Sequence, residues 1–142
     1  MTDPETLLQC LFKTTRAITH DLYRTLEPHG LFTSEWGLIS LLHNQGPMSQ
    51  AALAARLNIE PPAISKMLLR MEKRGLISRG PGSSRRENLV RISDQGLAQL
   101  DLWQRLVDDH HARILAGLSP AEIELLVSAL SRIHENTRSP RE

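Results

Sequence analysis

The sequence ISRGPGSSRRENLVRIS, residues 77–93, places two adjacent arginines after a loop of glycine, proline and serine. Guanidinium groups are planar, permanently charged donors that fit phosphate oxygens, and glycine lets a loop approach another molecule closely. Apolar residues on both sides of the loop predict two short strands, 77–79 and 89–92. The pattern favours a hairpin that contacts a nucleic-acid backbone. The alternative is a disordered surface hairpin whose arginines pair with Glu87 and with nearby helix ends.

The hairpin belongs to a basic segment of an otherwise acidic chain. The formal net charge is only +1, yet residues 66–91 contain eight basic and two acidic side chains, which leaves −5 for the rest of the chain. A polyanion responds to this local potential, because charges in salt solution are screened beyond about 8–10 Å. The alternative interpretation is an ordinary solvated face.

Helical patterns lie on both sides of the basic segment. Apolar residues at three- and four-residue steps predict a first helix over residues 5–27. Capping residues and chain breakers divide the remainder. The other predicted helices are a second opened by Thr33, Ser34 and Glu35, a short third capped by Ser49, a fourth over residues 61–74 closed by Gly75, a fifth from the Ser93 cap to Gly117, and a sixth opened by Ser119, Pro120 and Glu122.

The third and fourth predicted helices, with residues 58–60 between them, form a helix-turn-helix pattern. In this motif the first helix braces the second, which enters the major groove of DNA. A hairpin directly afterwards makes the pattern a winged helix, whose wing can set an arginine into the minor groove. The predicted fold is therefore mainly α with a small β-hairpin wing. The residues expected to contact DNA are Ser49, Gln50, Pro61, Pro62, Ser65, Lys66, Arg70, Arg79, Ser83, Ser84, Arg85 and Arg86.

The order of these elements resembles the MarR family of bacterial winged-helix regulators over nearly the whole chain. The resemblance is carried by the stretch SQAALAARLNIEPPAISKMLLRMEKRGLISR, and most clearly by ISKMLLRMEKRGLI within it. A second stretch, RRENLVRISDQG, follows it and also resembles the family. It implies a homodimeric transcriptional regulator, expected to be a repressor, that binds a pseudo-palindromic operator in double-stranded DNA and is released by a small-molecule effector or an oxidant. The implied regions are an N-terminal dimerisation helix (1–31), a winged helix-turn-helix (32–93) and C-terminal dimerisation helices (94–142).

Two positions depart from the family's pattern. Ser84 stands where the family's wing commonly has an aspartate before its paired arginines, so which of Arg85 and Arg86 enters the minor groove stays open. The fourth helix opens with Glu60 and two prolines instead of serine, threonine or aspartate. Because prolines lack the N–H groups that hold phosphate at a helix start, we expect affinity to depend on side chains.

Other candidate residues lie outside the basic segment. Cys10, in the first helix, is either an incidental thiol or an oxidant sensor. Phe12, Trp36 and His43 either belong to the core or line an effector pocket between the dimer helices and the winged helix. The histidines show no zinc-ligand spacing, because the adjacent pair at 110–111 points to different faces of one helix. No metal or cofactor is expected.

Length and composition predict the size class of the protein and its location in the cell. A chain of 142 residues with 40% hydrophobic and 23% charged residues matches a single soluble domain. No apolar run reaches the roughly 18–20 residues of a membrane span, the start lacks a signal-peptide pattern, and one cysteine suits a reducing compartment. We therefore expect a cytoplasmic protein without a membrane partner.

Enzymatic activity is not expected. The glycine-rich stretch RGPGSS leads into a strand, whereas a phosphate-binding loop leads into a helix. The alternative to DNA binding is a helical protein–protein interaction module, for example an anti-regulator, that uses the same fold. Such a protein would show an exposed apolar patch in place of the basic segment.

Overall fold

The computed structural model describes residues 2–82 and 88–138. Within these ranges the chain is mainly helical with one small antiparallel sheet, which confirms the predicted fold class. The helices are α1 (Pro4–Leu26), α2 (Thr33–Gln45), α3 (Gln50–Leu57), α4 (Pro61–Lys73), α5 (Asp94–Ile114) and α6 (Pro120–Arg138), and the strands are β1 (Met48–Ser49), β2 (Ile77–Pro81) and β3 (Asn88–Ile92). A single 3-10 turn, Glu27–His29, follows α1.

The sheet has one strand more than the sequence patterns predict. Its order is β1-β3-β2, with Met48 opposite Val90 and Ile77 opposite Ile92, and both pairings are antiparallel. Strand β1 has two residues, too few for an alternating apolar signal. It nevertheless matters for the site, because it joins the segment in front of α3 directly to the hairpin.

Helix starts follow the capping residues that the sequence contains, with one exception. The hydroxyl of Ser49 accepts a hydrogen bond from the Ala52 N–H at 3.1 Å, and that of Ser93 accepts one from the Gly96 N–H at 3.0 Å. Neither Thr33 nor Ser34 caps α2, contrary to prediction. Instead the carboxylate of Glu35 accepts a hydrogen bond from the Phe32 N–H at 3.0 Å, which leaves its second oxygen for another partner.

The chain divides into two compact units, Met1–His110 and His111–Glu142. The core of the first unit is formed by apolar side chains of α1 to α5 and the sheet. The indole N–H of Trp103, which is fully buried, donates to the His29 carbonyl at 3.1 Å. The largest fully buried apolar side chains of this core are Trp103, Leu26, Leu31, Leu38, Ile39, Leu53, Ile64, Leu68, Met71 and Val90.

The second unit contains the end of α5 and helix α6. A reciprocal pair of hydrogen bonds opens α6: the Ser119 hydroxyl accepts from the Glu122 N–H at 3.1 Å, and the Ser119 N–H donates to the Glu122 carboxylate at 3.0 Å. The bond from the Ser119 backbone holds the pKa of Glu122 below its usual value, so this cap is complete near neutral pH and weakens as the pH falls through that lowered pKa. Along Pro120–Arg138, all of it described, no side chain is buried.

Gly96 marks the closest approach between α5 and the start of the hairpin. A Cβ atom at this position would lie 2.5 Å from the carbonyl oxygen of Leu76 and 2.8 Å from Cγ2 of Ile92. Backbone cannot move away from such a contact without displacing β2. Gly37 in α2 is the opposite case, since its Cβ would meet only Cδ2 of Leu57, at 3.9 Å.

We expect Gly96→Ala to lower the free energy of unfolding by about 1–3 kcal/mol, because the added methyl group overpacks a closed contact. Gly37→Ala is the matched control. It should leave the protein equally stable or stabilise it by about 0.5–1 kcal/mol, as expected for replacing a glycine inside a helix. Urea unfolding followed by circular dichroism measures both changes. Equal stabilities of the two variants would contradict the close approach at Gly96.

Candidate nucleic-acid interface

Helices α3 and α4 meet at a short turn whose shape depends on Asn58. This residue has φ = 54°, and among the described residues no other non-glycine has a positive φ. Asparagine adopts this left-handed conformation at lower cost than most residues. The turn is closed by a hydrogen bond from the Ile59 N–H to the Ala54 carbonyl at 3.0 Å. The bend sets α4 across α3, the arrangement of a helix-turn-helix.

Helix α4 has a buried side and an exposed side. The buried stripe is Ile64, Met67, Leu68 and Met71. The opposite side holds the five residues of this helix that the sequence analysis assigns to DNA contact, and all five are exposed: Pro61, Pro62, Ser65, Lys66 and Arg70. Packing of the stripe on α3 and the sheet thus determines which side chains α4 presents outward.

The exposed side of α4 is cationic. Lys66, Arg70 and Lys73 follow one another at steps of four and three residues, so they share one face of the helix. In the described part of the chain no side-chain hydrogen bond or ion pair engages Lys66 or Arg70. We call Lys66, Arg70 and Lys73 the cationic face. Its charges are available to an external anion.

The start of α3 adds polar groups beside the hairpin. Ser49 uses an acceptor lone pair for its cap, so its hydroxyl proton can still be donated outward. Gln50 is held by Arg79, whose Nη1 donates to the Gln50 side-chain oxygen at 2.9 Å. Arg79 also lies 3.7 Å from the Glu72 carboxylate of α4. The structure therefore brings two predicted contact residues, Gln50 and Arg79, together at the junction of α3, α4 and β2.

The base of the hairpin is braced by a second arginine, which the sequence analysis does not assign to the site. Arg91 on β3 extends across the neighbouring strand: Nη2 donates to the Pro81 carbonyl at 3.3 Å, and a Cβ at Gly80 would lie 3.8 Å from Nε. The predicted contact residues of the hairpin tip, Ser83, Ser84, Arg85 and Arg86, lie outside the described residues.

The C-terminal end of α4 is anchored by an ion pair between a half-buried arginine and a buried carboxylate. Nη1 of Arg74 lies 2.6 Å from the carboxylate of Glu35, which is 2% exposed. The same guanidinium donates to the Gly30 carbonyl and lies over the Phe32 ring, 5.1 Å from its centroid. Arg74 is not among the site residues predicted from the sequence. No local pattern could have shown this contact, because Glu35 is 39 residues away along the chain.

The predicted effector residues lie in different environments. Phe12 is 56% exposed on α1, and Trp36 belongs to the buried core. His43 lines an open cavity of about 210 Å³ that includes neither of them. The other lining residues of this cavity are Leu42, Pro47, Arg91, Ile92 and Leu97.

Cys10 is exposed on α1, with its sulfur 4.0 Å from the Thr14 hydroxyl. In the described ranges no group of three or more histidine, cysteine or carboxylate side chains is arranged to hold a metal ion. The helices there are also too short or too polar to cross a membrane.

A helix-turn-helix followed by an antiparallel hairpin defines a winged helix, and comparison with known proteins specifies the family. The model of the MarR family matches residues 31–87. The uncharacterized HTH-type transcriptional regulator YwoH of Bacillus subtilis (strain 168) is 32% identical over 89 residues, which cover 63% of this chain and 65%, just under two thirds, of that protein. Over its winged helix the chain is therefore similar to the MarR family, whose members are transcriptional regulators and not enzymes.

Two solved structures extend the similarity to the whole fold. The transcriptional repressor CouR, bound to a 23-mer DNA duplex, is 27% identical with a TM-score of 0.82, and the match covers 92% of this chain and 93% of that one. A putative MarR family regulator from Listeria monocytogenes, complexed with 26-mer DNA, is 25% identical with a TM-score of 0.78, covering 96% and 89% of the two chains.

We expect Glu35→Ala to lower the free energy of unfolding by about 1–3 kcal/mol, because it leaves the Phe32 N–H without its acceptor and the Arg74 guanidinium, which is 33% exposed, without its counterion. Glu35→Gln keeps an oxygen for the Phe32 N–H and should cost less. The control is Arg24→Ala, which removes an exposed pair with Asp21 and should cost at most about 1 kcal/mol. Urea unfolding compares the three variants. If Glu35→Ala cost no more than Arg24→Ala, α4 would not depend on this anchor.

Proposed function

We propose that this protein is a homodimeric transcriptional repressor that binds a pseudo-palindromic operator in duplex DNA. The observation that carries the proposal is the cationic face of α4, exposed and without internal partners among the described residues. A helix-turn-helix presents this helix to the major groove. The DNA duplexes bound by CouR and by the Listeria regulator support the same mode for this chain.

Affinity in this proposal comes from phosphate contacts, and specificity from α4. The Ser49 hydroxyl and the amide of Gln50 lie at the start of α3, where a brace helix meets the DNA backbone. Gln50 is held by Arg79, so its amide is oriented before DNA arrives. Lys66 and Arg70 are the long donors of α4 that can reach base edges or phosphates, and Ser65 is a shorter one.

The hairpin supplies the second contact. Arg85 or Arg86 enters the minor groove next to the α4 site, where narrow A·T-rich segments attract guanidinium groups. Ser83 and Ser84 donate to the phosphates beside it. Arg91 and Arg79 support the base of the hairpin through the Pro81 carbonyl and Gln50. The rigid base lets a short tip be aimed at DNA.

Dimerisation accounts for the apolar surface of α6. Leu125, Leu126, Val127 and Leu130 of this helix are 43–70% exposed in the single chain. Water contact over so many leucine and valine side chains is unfavourable, at roughly 25 cal/mol for each Å². A second copy related by a two-fold axis would cover this surface and present two α4 helices about 34 Å apart, one helical turn of DNA.

A small-molecule effector completes the proposal. The cavity at His43 is the candidate site because it is lined by Arg91, whose guanidinium also contacts the base of the hairpin. In the described residues Nε of Arg91 is buried without a hydrogen-bond partner, so an anionic group entering the cavity would gain a donor. Oxidation of the exposed Cys10 is the other proposed trigger.

We expect Lys66→Ala and Arg70→Ala each to weaken operator binding by about 1–3 kcal/mol, because each removes a cationic donor from α4. Arg105→Ala is the control: it removes one positive charge from the exposed side of α5 and should bind as the wild type does. The operator is obtained by selecting genomic fragments with the purified protein, and mobility-shift titrations measure affinity. Repeating the selection with candidate effectors tests release.

Salt dependence separates this function from its alternative. Contacts to about six to ten phosphates per dimer should lower affinity by about 10³–10⁵ between 50 and 200 mM salt. A wild-type protein that selects no DNA fragment and shows no salt-dependent affinity would instead favour a protein–protein interaction module. Unchanged binding by both α4 variants would remove α4 from the interface.

Light scattering on a size-exclusion column tests the dimer. The wild-type protein should elute with twice the chain mass of 16.0 kDa. Leu126→Glu with Leu130→Glu should reduce the mass to that of one chain, because four carboxylates would enter one apolar interface. Glu124→Lys, a charge change on the same helix, should leave the dimer intact. A wild-type protein of monomer mass at micromolar concentration would contradict the proposal.

A further inference from the structure

Leu69 is an apolar side chain in an unexpected place. It is 50% exposed, although every other large aliphatic or methionine side chain of α4, a helix described throughout, is buried. The buried stripe of α4 is complete without it. Because the apolar side of this helix is already packed, Leu69 is left accessible to a partner molecule.

The neighbours of Leu69 are cations. Lys66 precedes it by three residues, Arg70 is adjacent, and Lys73 follows by four. Residues three and four apart on a helix lie side by side, so Lys66 and Lys73 flank Leu69, which borders the cationic face on the side of Ser65. Ser65, also exposed, precedes it by four residues on the same side.

These neighbours restrict the kind of partner that can cover Leu69. An apolar protein surface over Leu69 would have to remove water from the two lysines that flank it without compensating their charge, which is costly. A duplex provides both properties at once: phosphates on the groove walls and, on its floor, the C5-methyl group of thymine. This methyl is the apolar group that base pairs present in the major groove.

We propose that Leu69 is a specificity-determining residue that packs against a thymine C5-methyl group in the operator. The inference rests on the proposed DNA-binding function and extends it, since phosphate contacts by the cationic face position the protein but carry no sequence information. A methyl contact distinguishes T·A from the other base pairs without a hydrogen bond. The methyl contact would therefore give α4 a preference for a T·A base pair, which its cationic side chains do not provide through phosphate contacts.

The position of Leu69 also defines the docking of α4. Eight residues separate it from Pro61, a distance of about 12 Å along the helix axis. To reach a base there, α4 must lie along the major groove, about 12 Å wide, instead of entering only by its first turn. The thymine that Leu69 contacts would then lie farther from the start of α4 than the bases near Ser65 and Lys66, toward one end of each half-site.

The test replaces thymine by deoxyuridine, one position at a time, in the selected operator. This change removes the C5-methyl group and leaves every base-pairing hydrogen bond intact. For the wild type we expect one thymine position in each half-site at which the replacement weakens binding about fourfold, the factor for one buried methyl-sized group. Leu69→Ala should bind the thymine operator more weakly and be insensitive to the replacement at that position.

Two further variants serve as controls. Leu69→Met keeps a long apolar side chain and should retain the sensitivity to deoxyuridine. Lys73→Ala removes a neighbouring charge; it should weaken thymine and deoxyuridine operators equally and reduce the salt dependence by about one phosphate. Fluorescence anisotropy titrations at one salt concentration measure all combinations, and the double-mutant cycle isolates the coupling between Leu69 and the methyl group.

The outcomes separate this inference from the function on which it rests. If every thymine replacement affects the wild type and Leu69→Ala equally while both bind the operator, Leu69 reads no methyl group and the inference is overturned, with DNA binding intact. If the wild type binds no duplex, the proposed function and the inference fail together.

Discussion

The ion pair between Arg74 and Glu35 is the contact on which the orientation of the cationic face depends. Glu35 holds the start of α2 through the Phe32 N–H and the end of α4 through Arg74. One carboxylate therefore fixes two helices. Its burial makes the pair costly to break, because a lone charge would remain in an apolar setting. Since α4 is held at its last turn, its outward face has a constant orientation relative to α2 and the core.

A second constraint acts on the other side of α4. Arg79 of β2 reaches Gln50 of α3 and Glu72 of α4, while Gly96 allows α5 to pack against the carbonyl of Leu76 at the start of the hairpin. The hairpin base, both helices of the motif and α5 are thus joined by short polar contacts and one close backbone approach. The last turn of α4 is therefore held from two sides, by Arg79 at Glu72 and by Glu35 at Arg74.

The sequence patterns predict the elements well where the signal is local. The Ser49 cap and the Ser119–Glu122 pair each join residues three positions apart, and the apolar stripe of α4 extends over seven positions. The structure contains all three features. The contacts that position the site are different in kind. The partners in these contacts are far apart in the sequence: 29 residues for Gln50 with Arg79 and 39 residues for Glu35 with Arg74. Such contacts depend on how the helices pack and produce no periodic pattern in the sequence. Strand β1 is missed because two residues carry no alternation.

Strand β1 has a consequence for how homologues of this chain can vary in length. Ser49 both pairs with Leu89 of β3 and caps α3, so hairpin and brace helix share one residue without any linker. An insertion at Met48 or Ser49 would turn the capping hydroxyl to the opposite side of the sheet. Insertions at residues 46–47, in the turn after α2, would leave the shared residue in register. Length changes in this region should therefore accumulate before the strand and be absent within it.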